Sequence, residues 1–142
     1  MKKRKSNLNG RVVFTVILLL VIAAFILFAI FSPRSAEIDG GTLRFHHLFT
    51  RFEVPVSDIE SVQLLETPPG LSKVSGIGVY FLSEGTYEAE GYGRCTISLN
   101  QSEPPFIAVT GADGSCWIFS LNDQDSTRAF YDRLAAEIPQ NL

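Results

Sequence analysis

VVFTVILLLVIAAFILFAIF, residues 12–31, runs for twenty residues without a charged side chain, a glycine or a proline. At about 1.5 Å rise per residue such a helix spans roughly 30 Å, the thickness of a bilayer's hydrocarbon core, and it satisfies its own backbone hydrogen bonds where water is absent. The stretch therefore reads as a single membrane-spanning helix, which Pro33 ends just outside the bilayer. It divides the chain into a basic N-terminus (residues 1–11), an anchor (residues 12–32) and an outer domain (residues 36–139).

Charge is sorted across the anchor. Lys2, Lys3, Arg4, Lys5 and Arg11 precede it with no acidic residue among them, whereas only Arg34 lies on the outgoing side before Glu37 and Asp39. By the positive-inside rule the N-terminus is cytoplasmic and the C-terminal domain extracytoplasmic, in a single-pass protein of the cell membrane. A cleaved signal peptide shares the basic-then-apolar layout. Its apolar region is usually about 7–15 residues, shorter than this one, and the triplets at residues 30–32 and 34–36 fit a small-x-small cleavage site poorly. All 15 Asp and Glu lie beyond the anchor against seven of the 12 Lys and Arg, so the outer part carries a formal charge of −8. Such a surface is repelled by nucleic acid and by anionic head groups. About 105 residues remain there, enough for one small core.

Short apolar runs punctuated by Gly, Pro, Asn and Asp make this outer domain mainly β. Strands are expected at residues 42–48, 51–56, 61–65, 94–99, 106–110 and 115–121, with Asp39-Gly40-Gly41 and Gly111-Ala112-Asp113-Gly114 as turns. Pro68-Pro69-Gly70 breaks the chain, and residues 76–93, where glycines alternate with aromatics, read as strands interrupted by turns or bulges. A helix closes the sequence. Asn122, Asp123 and Asp125 offer caps, Phe130, Leu134 and Ile138 repeat at four-residue spacing, and Pro139 stops it.

This order resembles the bacterial pleckstrin-homology-like (PH-like) domain family. The residues that carry the resemblance are Ser75-Gly76-Ile77-Gly78, Glu84-Gly85-Thr86-Tyr87, Gly91-Tyr92-Gly93-Arg94, the run 106–110, Asp113-Gly114 and Asn122-Asp123, followed by the C-terminal helix. It covers residues 37–138. The resemblance implies a partly open barrel of about seven antiparallel strands, in two roughly orthogonal sheets, with the helix over one end. It implies no catalytic residues, and the fold hosts many binding roles.

Residues with chemical potential are few. Adjacent strand residues face opposite sides, so His46 and His47 are expected as two partly exposed histidines rather than as a metal pair. The carboxylates Glu53, Asp58 and Glu60, and Glu84, Glu88 and Glu90, lack the spacing of a calcium loop or the setting of a catalytic dyad. No phosphate-binding loop, nucleophile elbow or zinc-protease helix is present. Asn100-Gln101-Ser102 fits a glycosylation acceptor, which carries meaning only in some organisms. If residues 94–99 and 115–121 both pair with 106–110, Cys95 and Cys116 lie roughly 10 Å apart across the middle strand, beyond the reach of a disulfide. Two buried thiols are then expected.

The sequence thus points to a non-enzymatic, membrane-anchored binding or assembly module without cofactor or metal, displaying a PH-like domain to a protein partner. An envelope sensor or regulator that binds a small ligand is the alternative. Phosphoinositide binding is disfavoured, because Arg44 and Arg51 are the only basic residues near the first hairpin. Partner contact is expected at Tyr80, Tyr87 and Tyr92, which offer large amphipathic rings amid glycines. The competing expectation is that these tyrosines fill the wall of the domain with their hydroxyls at its rim.

Overall fold

The computed structural model describes residues 2–79 and 82–138. They belong to two compact units, divided between Ser32 and Pro33. The first is one helix, α1 (Lys2–Phe31), which starts earlier than the anchor read from the sequence and runs through the basic segment. Within it the 22 residues Leu8–Ala29 are long and apolar enough to cross a membrane. Side chains such as Phe14, Leu20 and Phe28 stand exposed all round it.

Among its described residues the second unit has nine strands, β1 (Ser35–Asp39), β2 (Thr42–His47), β3 (Thr50–Pro55), β4 (Ile59–Leu65), β5 (Leu71–Val79), β6 (Leu82–Ala89), β7 (Gly93–Leu99), β8 (Phe106–Gly111) and β9 (Cys116–Phe119), followed by α2 (Gln124–Glu137). A three-stranded sheet has the order β1-β2-β3 and a six-stranded sheet the order β4-β8-β9-β7-β6-β5. The domain is mainly β in two sheets with a C-terminal helix, but it has nine strands rather than about seven. They are not all antiparallel, since β7 and β9 run parallel.

Alternation builds the small sheet. On β2, Leu43, Phe45 and His47 point inward, and on β3, Thr50, Phe52 and Val54 do the same. Gly40 and Gly41, both at positive φ, make the turn that lets β1 fold onto β2. Aromatic rings then join the layers. Phe45 stacks on Phe52 at 5.2 Å and meets Phe119 of β9 at 4.9 Å, and Phe119 meets Phe130 of α2 edge-on at 6.2 Å.

The other face of the large sheet is also buried, by Tyr87, Ala89, Cys95, Ile97, Leu99, Phe106, Ala108, Cys116 and Ile118. The sheet curls to achieve this. Tyr92, in the turn between β6 and β7, donates its hydroxyl to the Gln63 side chain on β4. In a flat sheet three strand spacings, about 14 Å, would separate β4 from β7, beyond the reach of a tyrosine. Leu65 on one edge strand and Leu71 on the other therefore pack against the same cluster.

Helix α2 begins at Asp123, whose carboxylate accepts from the Ser126 N–H at 2.7 Å and from the Ser126 hydroxyl at 2.9 Å. These bonds hold the carboxyl below the usual Asp range. The stripe expected at Phe130, Leu134 and Ile138 faces the core, with Leu134 fully buried. Leu134→Ala should cost about 2–5 kcal/mol through lost burial and a residual cavity. Denaturant unfolding of the full chain in detergent checks it, and a change below about 1 kcal/mol would mean that the helix does not carry the core.

Strand order overturns the expectation for the cysteines. β9 lies between β8 and β7, and its register with β7 pairs Thr96 with Trp117 and Ile97 with Ile118. One step earlier, Cys95 and Cys116 fall opposite each other on adjacent strands, not 10 Å apart across a third one. Both thiols are free and buried.

Candidate functional site

His46 and His47 take opposite faces, as their adjacency in β2 demands, but His47 is not the partly exposed residue expected from the sequence. It ends the inward series Leu43, Phe45, His47 and is 1% exposed. The buried partner that makes this tolerable is Glu84 on β6, also 1% exposed. One carboxylate oxygen of Glu84 meets His47 Nδ1, and the other accepts the hydroxyl proton of Thr50. His47 and Thr50 are cross-strand partners at the tip of the β2–β3 hairpin. A single carboxylate from the large sheet therefore grips both strands of the small sheet at their turn.

A second charge lies near it. The Arg34 guanidinium donates to the Ser98 hydroxyl at 2.9 Å, and Ser98 sits opposite Glu84 in the pairing of β7 with β6. Burial lowers the Arg34 pKa from the ordinary range, and the charge of Glu84 pushes it back up. Arg34 N–H also donates to Asn122 Oδ1 at 2.9 Å, which fixes the start of the domain beside the entry to α2.

The arrangement is a strut and not a nucleophile with its base. In an activated hydroxyl the imidazole takes the proton and a carboxylate orients the imidazole. Here the carboxylate stands in the middle, holding hydroxyl and imidazole side by side.

Above Glu84 the surface opens into a cleft of about 340 Å³ lined by Phe49, Thr50, Ser75, Gly76, Ile77, Glu84 and Gly85. Its shape follows from two glycines. Gly76 and Gly85 pair directly across β5 and β6, with φ of 123° and 132°. A Cβ on either would land on the backbone of the other strand, on Glu84 O from Gly76 and on Ser75 O from Gly85. The strands approach more closely here than side chains would allow, which leaves a gap flanked by the exposed Phe49 and the half-buried Ile77.

One wall of this cleft is an edge. β5 is nine residues long and ends the large sheet, and no described strand pairs with its outer side. Val74 and Val79 stand 46% and 44% exposed along it. Lys73 is its one charged residue, and a bulge shifts the register between Lys73 and Ser75.

The tyrosines named from the sequence take three different positions. Tyr80 lies outside the described residues. Tyr87 is 3% exposed in the second core cluster and donates its hydroxyl to the Ile77 carbonyl, and burial raises its pKa. Tyr92 closes the curl through Gln63, and its pKa is also raised chiefly by burial. Of the two described rings Tyr87 is buried and Tyr92 is half-buried.

A smaller groove of about 260 Å³ crosses the outer face of the small sheet, where Glu37, Arg44 and Glu53 form one cross-strand row. Arg44 lies 3.5 Å from Asp39 and 3.6 Å from Glu53, so its charge is already met. Among the described residues no three His, Cys, Asp or Glu side chains are placed to hold a metal ion. The two thiols perturb each other: the neighbouring Cys116 lowers the Cys95 pKa, while Cys95 and burial raise that of Cys116. Compared with known protein families, curated proteins and solved structures, the chain matches none.

Proposed function

We propose that the chain is a non-enzymatic, membrane-anchored binding module whose β domain lies outside the membrane and takes up an extended segment of a partner protein along β5. The open edge of β5 beside the apolar mouth of the cleft carries this reading. Exposed edges are normally blunted by short length, charge or proline, because their unpaired N–H and C=O groups recruit other strands. β5 is long and contains no proline, and its one lysine and its bulge both lie at residues 73–75, which leaves residues 76–79 as its open stretch. Added strands gain affinity from main-chain bonds and specificity from pockets for alternate side chains. The Phe49–Ile77 mouth supplies a pocket for one apolar side chain of the incoming segment.

The membrane anchor rests on Leu8–Ala29, and the outward orientation on the basic residues that precede it. The PH-like reading belongs to the same proposal and is supported by the order of elements, strands closed by one C-terminal helix against the sheet. The excess of acidic residues after the anchor disfavours nucleic acid and phosphoinositide as ligands.

Two experiments test the parts separately. Asp132→Cys, on the exposed side of α2, should react with a membrane-impermeant maleimide in intact cells. Labelling only after permeabilisation would reverse the orientation. A photo-crosslinking residue placed at exposed Ser72 in the membrane-embedded chain should form adducts that map to one segment of another protein. These adducts should be absent in Val74→Lys with Val79→Lys. Equal crosslinking from Glu53 on the small sheet, or adducts only with a second copy of this chain, would overturn the strand-addition reading.

A further inference from the structure

We infer that Cys95 and Cys116 are a built disulfide site, which joins β7 to β9 by exchange with a disulfide-bearing oxidant such as a thioredoxin-like disulfide donor or glutathione disulfide. Three observations carry it. The register Thr96↔Trp117 and Ile97↔Ile118 puts the cysteines opposite one another, one step before the paired residues of two parallel strands. Adjacent strands lie about 4.8 Å apart, inside the window of roughly 4.4–6.8 Å that a disulfide requires between Cα atoms. Alternation places both side chains on the face that also buries Ile97 and Ile118, so the two thiols point into the same cluster.

The chemistry balances without a further reactant. The thiolate of one cysteine attacks the oxidant's disulfide and forms a mixed disulfide, releasing one oxidant thiol. The second cysteine attacks the protein sulfur of that mixed disulfide, and the oxidant leaves as its second thiol. The two cysteine protons end on the two released thiols, and the two electrons reduce the oxidant. With Cys95 1% and Cys116 4% exposed, the exchange takes place while the strands are still assembling or in an opened state.

The site also has a reason to matter to the sheet. The parallel contact of β7 with β9 is three residue pairs long, and β9 itself has four residues. A covalent link at its first residue fastens the shortest strand of the large sheet, which lies between β7 and β8.

The test uses the full-length chain in detergent, reduced and then refolded in a mixture of reduced and oxidised glutathione. After denaturation and alkylation, intact mass is expected to show loss of two hydrogens and no alkyl group, returning to two alkyl groups once the sample is reduced. The oxidised protein should melt about 15 °C above the reduced one, as closure of a loop of this length implies. Cys95→Ala and Cys116→Ala should each remove that difference. Two alkylated thiols after the same incubation, glutathione adducts on both cysteines, or a disulfide-linked dimer would each overturn the inference. Because the oxidant is supplied in the tube, failure of the outward orientation leaves this result unaffected, and the two proposals fail separately.

Discussion

Gly85→Ala is expected to lower the stability of the β domain by about 2–6 kcal/mol, a large share of the 5–15 kcal/mol that a domain of this size commands. Two effects add. At φ of 132° a side chain costs roughly 1–3 kcal/mol in backbone strain. The new Cβ would also meet Ser75 O and the Cα of Gly76, both backbone atoms that move only if β5 moves. Forcing the strands apart costs about 1–3 kcal/mol more, and it would disturb the cleft as well. Gly91→Ala separates the two contributions. Gly91 also has positive φ, but its Cβ would stand in open space, so only the strain is expected there. Equal losses for the two variants, measured by denaturant unfolding in detergent, would refute the close-approach argument.

The second large effect is expected at Glu84. Glu84→Ala leaves the buried His47 Nδ1 and Thr50 hydroxyl without their shared partner, and it removes the negative charge that Arg34 faces. Truncating one member of a buried charged network typically costs about 3–5 kcal/mol, because the survivors are left without partners. The joint replacement Glu84→Leu, His47→Leu and Thr50→Val should cost clearly less than Glu84→Ala alone, since no polar group then remains unpaired. Thermal unfolding of Glu84→Ala and of the triple variant, each against the unaltered chain, checks the order. If the triple variant is the least stable, the cluster contributes favourable energy beyond satisfying itself.

His47 illustrates what was legible in the sequence and what was not. The period of two through Leu43 and Phe45 already assigned it to the apolar face, so its burial could have been read from β2 alone. Its partner could not, because Glu84 lies on another sheet, and Glu84, Glu88 and Glu90 look alike as a string of carboxylates. Only the pairing of strands makes the first buried and the others exposed. The helix stripe at Phe130 and Leu134 was legible for the opposite reason, since its spacing is a local property.

The cysteines mark the same boundary. Their expected separation assumed that strands adjacent in sequence are adjacent in the sheet, and β9 instead enters between β7 and β8. The tyrosines were visible as a cluster but not as individuals. Tyr87 fell on the face that the sheet's curvature buries, and curvature leaves no mark in a run of glycines and aromatics.

That insertion also governs the order in which the chain can assemble. β5, β6 and β7 form a meander whose contacts close locally, whereas β4 has no sheet partner until β8 is made, and Leu65 waits for Phe106. When β8 arrives it joins β4, and two half-sheets stand apart, each with an open edge. Among the described residues β9 is the last strand synthesised and the one that pairs with both. Loop closure must therefore be met before the central contacts reward it, which slows folding and exposes hydrophobic edges in the interval. A nascent chain paused before Cys116 would hold two half-sheets that share no strand, and four residues, Cys116–Phe119, supply the ladder that makes them one sheet.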